Sequence, residues 1–369
     1  MTTTSFGTFF LPGPTEVHPD VLAAMTRPMI PHRSTKFEEL FARCQAGLKA
    51  LFRTTRPVFV STSSATGLME AGIRNAPPGP VLCLVNGQFS DRFGAIARAC
   101  GREVDLLTVA YGAGFDLAAV DRQLALRRYA VLTVVHSETS TGVLTDIRAV
   151  NALARRHGAT CLIDSVTGIG AAPVEFDAWE LDYVLTGSQK GLALPPGLAF
   201  AVASEAFMRN AAQAADRGLY FDLVEFERFS AKHQTPNTPA LSLMYALEVQ
   251  MARMQREGVE ARWERHATMR AATERWVAEC ASRLGIAMRM LAPEGMRSPS
   301  VSTVLLPEGM DARKLLPLVE AHGITIGGGL GPLVHTTFRI GHMGDHTMDG
   351  LGKCLCAVEG ALGQLVQAA

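Results

Sequence analysis

Short apolar runs alternate with stretches of helical spacing through the first two-thirds of the chain. Residues 58–60, 81–85, 104–107, 130–135, 161–163, 183–185 and 198–203 read as strands. Between them, the segment GLMEAGIRN and residues 91–100 and 147–157 read as helices, and residues 37–51 space Phe37, Leu40, Phe41, Leu48 and Leu51 at helical intervals. Strands and helices alternating at this pitch predict βαβ units: an α/β fold whose mostly parallel sheet is covered by helices on both faces. After residue 223 the texture changes. A polar, Pro-bearing stretch (KHQTPNTPA) leads into one long helical pattern over 241–284. Strand patterns at 301–305, 324–326 and 337–340, with a helix over 311–322, then predict a smaller α+β domain at the C-terminus. The expected division is an irregular lead-in over 1–20, punctuated by Pro12, Gly13, Pro14 and Pro19, a large domain over 21–240 and a small domain over 241–369.

Composition narrows the function. The 369 residues carry 35 Lys+Arg against 35 Asp+Glu, which argues against a nucleic-acid binder and against a polybasic membrane-surface protein. No apolar run approaches the length of a spanning helix and no secretory leader is recognisable, so a cytoplasmic protein is expected. Seven scattered cysteines without a CxxC fit neither a disulfide framework nor a zinc site. Cys354 and Cys356 read as packing residues of the last helix, and the methionines of 241–254 as core. His342 and His346 lie in GHMGDHTMDG, where HExxH is absent, so they read as loop or cap residues; no metal is expected. Only Lys36, Lys49, Lys190, Lys232, Lys314 and Lys353 carry a primary amine on a side chain.

In parallel sheets ligands sit beyond the carboxyl ends of the strands. Four polar clusters stand there: STSSAT (61–66), HSETSTG (136–142), DSVTG (164–168) and TGSQKG (186–191). Residues 61–66 suit backbone N–H groups holding a phosphate at a helix start, although alone they fit an ordinary Ser/Thr cap better. Asp164 ends an apolar run and reads equally as a cap or as the anion that keeps a ring nitrogen protonated. Lys190 sits where the chain becomes tight (GLALPPG), the setting of a nucleophilic amine; the alternative is a surface lysine. Arg339, in TFRIGHMGD, offers a fork for a carboxylate or an ordinary surface ion pair. An Asp after one strand and a Lys after a following one, 26 residues on, suit pyridoxal phosphate as a set. Neither GxxxxGK[ST] nor GxGxxG is present.

These segments, with LPGPTEVHPDV near the start and GGGLGP before FRIGHMG near the end, resemble the class V pyridoxal-phosphate aminotransferases, the alanine–glyoxylate / serine–pyruvate group, nearly end to end. The resemblance implies the fold type I of pyridoxal-phosphate enzymes and pyridoxal 5'-phosphate as cofactor. It implies Lys190 as the Schiff-base and proton-shuttling lysine, and Asp164 as partner of the pyridine nitrogen. Val166 would pack under the ring and Phe89, in NGQFSDR, would stack on it. Ser64, Ala65 and Thr66 would hold the phosphate, Thr139 and Gln189 would touch the phenolic oxygen or phosphate, and Arg339 would grip the α-carboxylate. Family members are homodimers with shared active sites, which implies that Thr238, within 234–238, reaches the neighbour's cofactor. The chain departs from the family in TSSAT, where relatives are glycine-rich, and in Phe89, where relatives often carry tryptophan.

The reaction so implied is ping-pong transfer of an amino group from alanine, serine or aspartate to a 2-oxo acid such as glyoxylate or pyruvate. Arg33 reads either as a partner for a second substrate carboxylate or as structural, the latter favoured. A phosphonate-substrate transaminase is the same-fold alternative. A cysteine desulfurase fits less well, because that group usually has His where Gln189 stands and no cysteine lies in an obvious catalytic loop. An NAD-type dehydrogenase lacks its glycine fingerprint.

Overall fold

The computed structural model describes residues 6–367, so residues 1–5 of the expected lead-in and 368–369 of the expected small domain lie outside the described residues. A seven-stranded sheet runs Phe59–Ser61, Ala199–Ala203, Tyr183–Gly187, Thr160–Asp164, Val131–Val135, Val81–Val85, Val104–Thr108. Every pairing is parallel except those of Ala199–Ala203, which is antiparallel to both its neighbours. Side chains alternate across the sheet, as a two-residue period requires. Leu82, Leu84, Leu132, Val134, Cys161 and Ile163 feed one core, while Val81, Cys83, Val85, Val131 and Leu162 feed the other. That double burial is why these strands read as unbroken apolar runs. No described helix is long and apolar enough to cross a membrane.

A second sheet, of five strands, orders Phe9–Phe10, Thr325–Gly328, Thr337–Gly341, Val301–Leu305 and Arg289–Met290. Helices Val259–Leu284, Ala312–Ala321 and Met348–Gln367 contribute to its core. Four features differ from the sequence expectation. Phe9–Phe10 is not irregular but pairs parallel with Thr325 and Ile326, because the edge of the second sheet offers it unpaired backbone groups. The expected single helix over 241–284 is two, Leu241–Glu257 and Val259–Leu284, separated at Gly258, whose φ of 88° lies in the left-handed region. Leu241–Glu257, expected with the small domain, buries Met244, Leu247, Met251 and Met254 in the first core, which Val259 of the next helix also joins. On the last helix Cys354 is buried, but Cys356, two residues on and about 200° around the helix, is exposed.

A buried ion network joins the two cores. The Arg262 guanidinium is 1% exposed and donates to Glu257 at 2.6 Å, to Asp345 at 2.9 Å and to the Gly191 carbonyl at 2.9 Å. Asp345 also accepts from Gln250. Burial pushes the Asp345 carboxyl upward, but the Arg262 charge and these hydrogen bonds outweigh it and hold the group below its ordinary value. Arg262→Leu leaves Asp345 with the longer Arg253 contact at 3.4 Å as its ion pair, and Glu257 with Arg265. It is expected to cost about 3–5 kcal/mol, read as a lowered urea midpoint; a wild-type midpoint contradicts this account of the junction.

Candidate active site

Chain direction brings four loops to one edge of the seven-stranded sheet. Asp164 is the last residue of its strand, and Lys190 lies three residues beyond Gly187. The helix Ala65–Asn75 starts four residues after Ser61, and the helix Gln88–Ala99 three after Val85. They enclose a cavity of about 190 Å³ lined by Ser64, Ala65, Thr66, Phe89, Thr139, Asp164, Val166, Gln189 and Lys190. All nine are residues singled out in the sequence. Met69, Arg92, Val135, Ser137 and Thr167 complete the wall and were missed. Arg92 had a signal: it follows Phe89 by three positions on one helix, which stacks its guanidinium 4.9 Å from the ring centroid.

Lys190 is 6% exposed, and its Nζ donates to the Pro12 carbonyl. It lies 5.6 Å from the Phe89 ring centroid. The lead-in reaches this position through Gly13, whose φ is 98° and where a Cβ would stand 2.4 Å from Lys190 Cδ. Burial, followed by the charge of Arg339, pulls the amine down to about 7; Asp164 and Glu138 oppose the shift. Asp164 accepts the Val166 N–H at 2.8 Å through Oδ1, and Oδ2 has no hydrogen bond among the described residues. Burial raises its carboxyl to about 6 against the Val166 hydrogen bond. Ser64 caps the helix Ala65–Asn75 with its backbone only, which leaves the first-turn N–H groups of Ala65 and Thr66 facing the cavity end. Thr139 Oγ1 and Thr167 Oγ1 are 2.5 Å apart.

Arg339 comes from the other sheet. Its Nε donates to Gly328 O at 2.7 Å and Nη1 to Thr139 O at 3.2 Å, which brings the guanidinium to the cavity's Thr139 side. Burial lowers it to about 10. The structure does not bring Thr238 to this cavity. It is exposed and borders a separate surface hollow with Thr62, Tyr220 and Thr235. Arg33 does not face the cavity either: it donates to the carbonyls of Thr235 at 2.7 Å and Pro236 at 3.1 Å and lies over Phe229.

The sequence profile of Aminotransferase class-V matches residues 15–342. The chain belongs to this family. It is 35% identical over 96% of its length to the soluble hydrogenase small subunit of Synechococcus sp., of which it covers 92%. It is 33% identical over 93% of its length to the L-aspartate–glyoxylate aminotransferase of Paracoccus denitrificans, of which it covers 88%. The solved alanine–glyoxylate aminotransferase of Nostoc sp. superposes with a TM-score of 0.89, at 29% identity over 98% of this chain and 97% of that one. This class V protein is an aminotransferase of fold type I, and its cofactor is pyridoxal phosphate. The cavity suits that group. It offers uncapped helical N–H donors for a phosphate, a carboxylate with a free oxygen for a ring nitrogen, an aromatic face, and an amine made easy to deprotonate.

In the apoprotein, labelling of Lys190 by an amine-selective reagent should rise with pH through a midpoint near 7, because the neutral amine is the reactive form. Peptide mapping separates it from the exposed lysines. A Lys190 midpoint near its ordinary 10.5 would contradict the burial argument.

Proposed function

We propose that this aminotransferase moves the amino group of a small amino acid (alanine, serine or aspartate) to a 2-oxo acid such as glyoxylate or pyruvate, by ping-pong kinetics. The observation that carries the reading is the meeting of Lys190 and Asp164 on one cavity of about 190 Å³, with Arg339 fixed at its Thr139 side. Bound there, pyridoxal phosphate supplies an electron sink that acidifies the substrate's Cα–H. Ser64, Ala65 and Thr66 hold the phosphate through helical N–H groups. Asp164, through its free oxygen, would accept the ring nitrogen's N–H and so favour its protonated form. Phe89 and Val166 would pack against the ring. Lys190 would anchor the cofactor until a donor's amine takes its place, and its freed amine would then carry the proton from the substrate's Cα. Arg339 orients the donor by its carboxylate.

Arg33 is committed to the carbonyls of Thr235 and Pro236, so an aspartate donor must find its second cation elsewhere. Arg92 lines the cavity and makes no ion pair among the described residues. A homodimer in which Thr238 serves the neighbour's phosphate is supported by its exposure and by the fixing of its loop through Arg33. A reducing, cytoplasmic setting suits the free cysteines. None of them lines the cavity, and Gln189 precedes Lys190, which disfavours a desulfurase.

The test is the change in cofactor absorbance when the holoenzyme meets single amino acids without acceptor. Alanine, serine or aspartate should convert it and glyoxylate or pyruvate should restore it. Lys190→Ala should lose sustained turnover by at least about 10³-fold. Arg92→Gln should lower kcat/KM for aspartate about tenfold more than for alanine. Conversion by none of the three donors, or full turnover by Lys190→Ala, would overturn the reading.

A further inference from the structure

Glu138 is fully buried, is in no ion pair among the described residues, and receives only neutral donors. Oε2 accepts from Ser90 N–H at 2.9 Å and Ser90 Oγ at 3.1 Å. Oε1 accepts from Ser140 N–H at 3.1 Å and Ser140 Oγ at 2.6 Å. The Phe89 N–H is shared between the two oxygens at 3.2 and 3.3 Å. The two hydroxyl oxygens are themselves occupied: Ser90 Oγ accepts from the N–H groups of Asn86 and Gly87, and Ser140 Oγ from that of Gln88. The Ser140 proton is therefore free to point at Glu138, while that of Ser90 has Glu138 Oε2, the Gly87 carbonyl at 2.9 Å and Asn86 Oδ1 at 3.4 Å within reach. Gly87 makes room for the carboxylate, since a Cβ there would stand 2.4 Å from Glu138 Cγ.

This carboxylate fastens together two pieces of chain that both line the cavity. One is the first turn of the helix Gln88–Ala99, which carries Phe89. The other is the turn at Thr139 and Ser140. We propose that Glu138 is a positioning residue that fixes the stacking wall of the cofactor site, holding the Phe89 backbone to the Thr139–Ser140 turn so that these walls keep one spacing. The proposal rests on the reading that Phe89 stacks on the cofactor ring. Glu138 lines neither the cavity nor any surface, so its hold on the cavity walls passes through those neighbours, while its charge also reaches Lys190 through space.

Glu138→Gln keeps the shape and replaces one oxygen by an NH₂ group. That group meets backbone N–H donors, which cannot reverse, and hydroxyls already used as acceptors, so at least one bond to the helix start or the turn is lost. The dissociation constant of pyridoxal phosphate, measured by dialysis from the holoenzyme, should rise about tenfold in Glu138→Gln and about tenfold in Phe89→Ala. The double variant should stay close to Phe89→Ala rather than reach about a hundredfold, because both changes remove the same wall. The circular dichroism of the bound cofactor should weaken in all three. Should Glu138→Gln fail to fold, Ser140→Ala carries the test: it deletes one donor to Oε1, keeps the backbone donors, and should raise the constant about threefold. Wild-type cofactor affinity in Glu138→Gln or Ser140→Ala beside a weakened Phe89→Ala overturns this inference alone, as does multiplication of the two effects in the double variant. Wild-type affinity in Phe89→Ala overturns the stacking reading beneath it.

Discussion

Removing water from one amine is the constraint around which the molecule is organised. An ammonium on Lys190 has the Pro12 carbonyl as its only hydrogen-bond partner among the described residues, and burial, not a neighbouring cation, is the largest influence lowering its pKa. Arg339 pushes the same way, while Asp164 and Glu138 soften the effect. The same desolvation acts in the opposite sense on Asp164, which it raises. Burial on one cavity thus yields an amine close to neutrality and a carboxyl that shares protons readily. An aminotransferase needs both at the pH at which it works.

Burying these two groups requires parts of the chain that are far apart in sequence. The lead-in crosses Lys190 at Gly13 because its Phe9–Phe10 strand is fixed on the second sheet. Arg339 arrives on a strand of that same sheet. Arg262 then ties the carbonyl next to Lys190 to Asp345, six residues past Arg339. The two cores therefore meet through backbone carbonyls and a buried guanidinium. The separation between Lys190 and Arg339 is set by directional bonds at that junction and not by apolar contact alone.

Much of this was legible in the sequence for identifiable reasons. Apolar runs buried on both faces announced the parallel sheet, and polar residues just past those runs announced the site, because a strand's carboxyl end is where the backbone must turn. Lys190 stood out among only six lysines, and Asp164 because it closes an apolar run. What escaped depends on contacts between distant segments. A two-residue strand such as Phe9–Phe10 has no periodicity to detect. Gly258 is a single residue in a helical pattern, where a glycine is often tolerated. Glu138 sat in a motif that was noticed, yet its role lies in donors from Phe89, Ser90 and Ser140 that only the folded chain assembles. Arg33 offered two readings until its partners at Thr235 and Pro236 were seen.

The central claim is that the buried amine of Lys190 holds the cofactor opposite Asp164. Borohydride reduction of the holoenzyme followed by peptide mapping tests it most directly. The account predicts a single pyridoxyl group, carried by Lys190. A pyridoxyl group on Lys36, Lys49, Lys232, Lys314 or Lys353 instead, or a reduced protein with none, would contradict it.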